Sequence, residues 1–335
     1  MLALPSVMRV ERGARRGNEG APIIVRMATI VFMGTPEFAV PSLARLHMGR
    51  HRIAAVYTQP DRPAGRGRKV EESPVKTWAL AHGLRVMTPE SFRQAEAAEE
   101  LRGLQPDVLA VVAYGKLLPQ RVFQVPPHGA LNVHPSLLPR WRGPSPIAAA
   151  ILAGDRVTGV TVMLLDAGMD TGPVLAQREE AIGEEDTSAS LGARLAEAGA
   201  ELLSETLDAW LAGTVRARAQ EDGQATVCGK LTAEDGGLDF SRPAEELARR
   251  VRALGPWPGT FTLWRGERLK VLEARALRQE TGAPGTVAVS GEGMMVGTGG
   301  GSLLVRRVQP AGKRAMTAQE FLAGRPEIVG GRLPS

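Results

Sequence analysis

Apolar positions fall into two regimes along the chain. The first is a series of short unbroken apolar runs, at 30–33, 53–57, 108–112, 131–133 and 159–165 ("GVTVMLL"). Each is rich in β-branched residues, and several end at glycine or a polar turn, the pattern of a buried strand. Segments 37–47 and 75–82 between them read as helices. Strands alternating with helices predict an α/β domain with a parallel or mostly parallel sheet. Leu191, Leu195, Ala198, Leu202 and Trp210 then recur at helical spacing, so an amphipathic helix is expected over 187–212, closing the first domain. The second regime follows a polar, aperiodic stretch, 214–230. After a helix at 243–254, short runs punctuated by glycine ("TFTLW", "RLKVLEARAL", "GTVAVS", "GMMVGTG", "SLLVRRVQP") predict a smaller OB-like β-barrel. A closing helix begins at "TAQEFL", where Thr317 and Glu320 have capping-box spacing.

Length agrees with this division, since 335 residues exceed what one core usually holds. The expected layout is an α/β domain at 27–213, a linker at 214–231 and an OB-like domain at 232–335. The first 26 residues are Arg-rich and lack the apolar stretch of a secretory signal, whereas Met27 opens directly into a strand. A start near Met27 is expected, with residues 1–26 either a disordered extension or an over-called start. No apolar run reaches the ~18 residues of a membrane span. The single cysteine, Cys228, excludes an internal disulfide and a multi-cysteine metal site, and suits a reducing cytoplasm. The net charge of +5 fits a polyanionic partner, and it equally fits an Arg-rich proteome.

Candidate chemistry gathers around "GALNVHPSLLPRWRGPSP". Asn132 and His134 stand where a strand ends, and Asp170 follows another strand in "LDAGMDTGP". Ligands of open α/β sheets bind beyond the carboxyl ends of the strands, so these three are expected to converge at one sheet edge. An amide can donate to a developing oxyanion; an imidazole can do so too, or exchange a proton near neutral pH. A carboxylate can orient the imidazole and stabilise its charged form. On position alone, His134 could equally be a structural histidine. No nucleophile accompanies the set, which favours direct acyl transfer between two substrates over a covalent enzyme intermediate. Five scattered histidines provide no metal spacing, and "FMGTPEFAVPS" lacks the glycine fingerprint of dinucleotide binding.

A second stretch, "YTQPDRPAGRGRKVEESP", crowds Arg62, Arg66, Arg68 and Lys69 into a Pro/Gly-rich loop. Such a loop could clamp phosphates, or it could be ordinary solvated surface. Basic residues continue at Arg216, Arg218 and Lys230 and through the second domain, as an extended polyanion would require.

These motifs carry a resemblance. "NVHPSLLPRWRG" with "DAGMDTGP" resembles the folate-dependent formyltransferases. "FMGTPEFAVPSL", "TQPDRPAGRGRK", "SPVK", "VVAYGKLLP", "GVTVMLLDAGMDTGPVL" and "PWPGTF…QPAGKRAMTAQEFL" narrow it to the members that act on methionyl-tRNA, over about 28–322. The resemblance implies a Rossmann-like domain, a linker and an OB-like domain. It also implies formyl transfer from 10-formyltetrahydrofolate, a co-substrate, to the α-amino group of methionine on initiator tRNA, without metal. By motif position Asn132, His134 and Asp170 fall on the family's catalytic residues, and Ser136, Leu137, Leu138 and Pro139 on its folate-contacting segment. Arg62, Arg66, Arg68 and Lys69 fall on its tRNA-engaging loop, with Arg66 the central member, and Lys230 on a secondary tRNA contact. Asn132 and His134 would then stabilise the tetrahedral oxyanion, while Asp170 holds His134 and helps a proton pass from the amine to N10. A cytoplasmic monomer is expected. Pro135, and "GPSP" in place of the commoner "GAAP", are local departures. The alternatives are a formyltransferase acting on a nucleotide sugar or a purine precursor, and a non-catalytic tRNA-binding module on the same scaffold.

Overall fold

The computed structural model describes residues 27–64, 69–92 and 95–334. These form two compact units. One contains the described residues up to Gly143 together with Val157–Ala181 and Gly192–Val227; the other contains Pro144–Arg156, Ile182–Leu191 and Cys228 onward. Residues 1–26, and with them the expected extension, lie outside the described residues.

In the first unit the strands are β1 (Thr29–Gly34), β2 (Arg52–Tyr57), β3 (Arg62–Ala64), β4 (Lys69–Glu71), β5 (Val86–Met87), β6 (Val108–Val112), β7 (Ala130–His134), β8 (Val157–Leu164) and β9 (Val174–Ala181). Helices α1 (Val40–Met48), α2 (Pro74–Ala81), α3 (Ala95–Gly103) and α4 (Gln120–Phe123) alternate with them. Seven strands make one sheet in the order β5-β2-β1-β6-β7-β8-β9. The first five are parallel; β8 runs antiparallel to β7, and β9 antiparallel to β8. All five residues of β6, "VLAVV", are buried, as a central strand covered on both faces requires. Ser73 caps α2, its hydroxyl accepting the Lys76 N–H at 3.1 Å, with Pro74 entering the first turn.

The remaining elements are α5 (Pro146–Ala153), α6 (Ser188–Leu211), α7 (Ala244–Leu254), α8 (Ala318–Gly324) and strands β10 (Thr260–Trp264), β11 (Glu267–Leu277), β12 (Val287–Ser290), β13 (Gly293–Gly297), β14 (Ser302–Pro310) and β15 (Met316–Thr317). Strands β10–β15 form an antiparallel sheet in the order β10-β11-β14-β13-β12, with β15 on β14. Leu247, Val251, Leu269, Val296, Leu303 and Phe321 meet in its core. The capping box at the start of α8 is formed in both directions: Thr317 Oγ1 accepts the Glu320 N–H at 3.1 Å, and Glu320 Oε2 accepts the Thr317 N–H at 2.8 Å. Among the described residues no helix is long and apolar enough to cross a membrane, and no cluster of three His, Cys, Asp or Glu is placed to hold a metal.

Candidate active site

Strand β7 sets the site. Asn132 and His134 are two residues apart on it, so their side chains leave the same face of the sheet. Both are buried, and β7 is fixed on both sides, by β6 and by β8. Asp170 arrives by a route that differs from the expectation of a shared sheet edge. Because β8 runs antiparallel to β7, its end lies beside the start of β7, where the Leu165 N–H bonds the Ala130 carbonyl at 2.8 Å. Asp170 meets His134, at the far end of β7, because the loop after β8 doubles back.

The residues of "DAGMDTGP" explain how it does so. Asp166 gathers the loop, its carboxylate accepting the Gly168 N–H at 3.0 Å and the Thr171 hydroxyl at 2.8 Å. Asp170 itself takes a left-handed backbone conformation, φ 55°, which an aspartate tolerates better than most residues. Gly172 allows the close return: a Cβ there would stand 1.8 Å from the Leu164 carbonyl oxygen. We expect Gly172→Ala to destabilise the unit by about 2–4 kcal/mol, since backbone must move to admit the methyl. Denaturant unfolding checks this, and an unchanged midpoint would refute it.

At the centre, His134 Nδ1 lies 3.6 Å from Asp170 Oδ2, and His134 Nε2 lies 2.9 Å from the Trp141 carbonyl oxygen. A carbonyl only accepts, so Nε2 carries a proton and donates it there. The ring is therefore oriented from behind by the Trp141 backbone, and Nδ1 is its working nitrogen. Burial pushes the His134 pKa below its ordinary value, against the Asp170 charge and the Trp141 bond, which push it up. The resting ring is thus neutral, with the Nδ1 lone pair exposed to whatever enters beside Asp170. In that state Nδ1 accepts a proton, and it donates only after protonation. Asp170 Oδ2 is held in turn by the Gly143 N–H at 2.8 Å. The Asn132 amide has no hydrogen-bond partner among the described residues, which leaves its donors for a ligand.

The segment after His134 spends its side chains internally. The Ser136 hydroxyl donates to the Arg140 carbonyl at 2.6 Å, and Leu138 packs with Met163 and Val174. Leu137 lies over Gly159, where a Cβ would be 2.6 Å from Leu137 Cδ2. The Pro139 carbonyl accepts the Thr226 N–H at 3.2 Å. What Ser136–Pro139 presents outward is a shaped loop. Trp141, Gly143 and Gln220, whose contributions are backbone groups or an amide in an aperiodic stretch, carry no signal that sequence reasoning could have used.

Of the basic residues, Arg66 and Arg68 lie outside the described residues. Arg62 and Lys69 are on the β3–β4 ribbon, where Arg62 pairs with Glu71 and Ala64 with Lys69; their side chains are not described. The ribbon springs from an ion triad: Lys76 Nζ is 2.5 Å from Asp61 Oδ2 and 3.1 Å from Glu72 Oε1. Lys230 is exposed in the second unit.

Comparison with known proteins adds the following. The family described as formyl transferase matches residues 26–207, and the formyl transferase C-terminal domain matches 230–326. A methionyl-tRNA formyltransferase of Myxococcus xanthus is 50% identical over 297 residues, 88% of this chain and 94% of that protein. One of Halorhodospira halophila is 50% identical over 305 residues, 90% and 98% of the two chains. Among solved structures, HypX from Aquifex aeolicus in complex with tetrahydrofolic acid superposes with a TM-score of 0.60 at 19% identity, covering 91% of this chain. The chain spans about half of HypX, 48% of its length. WlaRD, a sugar 3N-formyl transferase, gives a TM-score of 0.63 at 16% identity over 86% of this chain and all of its own. At these identities the two structures bear on the fold alone.

Proposed function

The chain belongs to the formyl transferase family, and on that premise we propose that it moves the formyl group of 10-formyltetrahydrofolate to the α-amino nitrogen of methionyl-tRNA, the step that prepares the initiator for translation. The observation that carries the chemistry is the approach of His134 Nδ1 to Asp170 Oδ2, 3.6 Å, beside the unpartnered Asn132 amide. The neutral amine attacks the formyl carbon and the carbonyl oxygen takes up negative charge. The Asn132 N–H donates to that oxygen. His134 Nδ1 accepts the proton the nitrogen must lose, and the imidazolium so formed is stabilised by Asp170. The same proton passes to N10 as the carbon–N10 bond breaks, giving formyl-methionyl-tRNA and tetrahydrofolate. Every proton is conserved within the pair of substrates, so the transfer closes without a covalent enzyme intermediate. Ser136, Leu137, Leu138 and Pro139 would shape the wall against the folate.

Arg62, Arg66, Arg68, Lys69 and Lys230 are the proposed phosphate contacts to tRNA, supported by the density of cations along 62–69 of the sequence. A preference for initiator tRNA, a cytoplasmic location and a monomeric state complete the proposal, in keeping with a translation enzyme whose two substrates suffice for the reaction. The deciding assay supplies formyl donor with charged initiator tRNA, uncharged initiator tRNA, elongator methionyl-tRNA and a nucleotide-linked amino sugar. Rapid formylation of the first alone is expected. Formylation of the sugar in preference, or of none, would overturn the reading.

A further inference from the structure

Residues 214–227, which read in sequence as an aperiodic linker, are bonded to both loops that build the site. Arg218 and Val174 exchange backbone bonds at 2.8 and 2.9 Å beyond the Asp170 loop. Thr226 takes the Trp141 N–H on its hydroxyl at 2.8 Å and the Arg142 N–H on its carbonyl at 2.9 Å. Between these two attachments stands Gln220. Its Nε2 donates to the Asp170 carbonyl at 2.9 Å and the Gly172 carbonyl at 2.7 Å, and its Oε1 accepts from Arg142 Nε at 3.0 Å. Arg142 is itself buried and reaches on to Asp222 at 2.8 Å.

The geometry points to Gln220 as a positioning residue for formyl transfer, one amide that ties the loop bearing Asp170 to the loop whose backbone orients His134. Each bond has a consequence at the reacting pair. The Asp170 carbonyl it holds belongs to the residue in the left-handed conformation, which persists only where its surroundings enforce it. Arg142 lies between Trp141, whose carbonyl accepts from His134 Nε2–H, and Gly143, whose N–H donates to Asp170 Oδ2. A single side chain therefore holds the backbone on the Asp170 side of the 3.6 Å approach and, through the Arg142 guanidinium, ties it to the residue between Trp141 and Gly143. Only an amide of this length meets the need, because two carbonyl oxygens ask for donors while a guanidinium asks for an acceptor.

This inference rests on the assignment of His134 and Asp170 as the reacting pair, and its test separates the two. Gln220→Glu keeps the shape and the Arg142 bond but turns a carboxylate toward two carbonyls; Gln220→Met keeps the size and removes every bond. Both are expected to lower kcat roughly ten- to a hundredfold, because misplacement of the order of 1 Å carries that penalty. KM for tRNA and for the folate should stay near wild type, and both variants should unfold cooperatively. Added to Asp170→Asn, Gln220→Met should cost less than it does alone, since part of its effect runs through a carboxylate already removed. Wild-type kcat in either variant, or a full additional loss in the Asp170→Asn background, would overturn the positioning role. Full activity in Asp170→Asn itself would instead overturn the reacting pair.

Discussion

His134→Ala is expected to lower kcat by about a thousandfold, within the range typical of losing a general acid–base group, while KM for both substrates should stay within a few-fold. In the proposed mechanism the imidazole takes the proton that the attacking nitrogen must shed, and its other nitrogen is committed to the Trp141 carbonyl at 2.9 Å. Asp170→Asn removes the charge that stabilises the imidazolium and should cost kcat roughly a hundredfold. The double variant should be little worse than His134→Ala alone, because a carboxylate has nothing to stabilise once the ring is gone. The pH profile supplies a check on sign. Burial holds His134 below its ordinary pKa, so the neutral, proton-accepting ring persists to lower pH, and activity falls only once that lowered pKa is crossed from above. The Asp170 charge pushes the same pKa up, so Asp170→Asn should move that limb of the kcat profile further toward acid. The limb set by the substrate amine should stay in place in all variants. A limb that moves alkaline in Asp170→Asn, or a His134→Ala enzyme near wild-type turnover, would contradict the assignment.

How far sequence alone reached depended on whether burial or backbone geometry wrote the signal. The run at 108–112 became β6 with the same limits, because a strand buried on both faces must be apolar throughout. β9 was missed for the converse reason: "VLAQREEA" turns its second half, including Glu179, to the exposed edge of the sheet, and the charges break the pattern. α5, "PIAAAILA", has no polar face and so no helical period to detect. The proximity of Asp170 to His134 followed from the right residues but for an incomplete reason, since the antiparallel course of β8 was not visible and the doubling back of its loop depends on Gly172 and a left-handed aspartate. The His134 tautomer was beyond reach altogether. It is decided by a backbone carbonyl seven residues on, and any residue type at position 141 would bring a carbonyl.

Asn132→Ala tests the other half of the chemistry, the stabilisation of the oxygen, and should cost about 10²–10³ in kcat, the loss typical of one oxyanion donor. Because its amide has no partner among the described residues, alanine strands no buried group, and stability should change by less than about 1 kcal/mol. Asn132→Asp separates donation from mere occupancy. The new carboxylate removes the donor and places negative charge beside the oxygen that is becoming negative, so this variant should be slower still than Asn132→Ala. The same charge, two residues from His134 on one face of β7, favours the imidazolium and should shift the histidine limb toward higher pH, opposite to the shift from Asp170→Asn. The two isosteric exchanges, amide to acid at 132 and acid to amide at 170, thus move one titration in opposite directions while both depress the rate. A steric role for Asn132, or an oxygen bound elsewhere, would leave the aspartate variant near wild-type turnover above the shifted histidine limb.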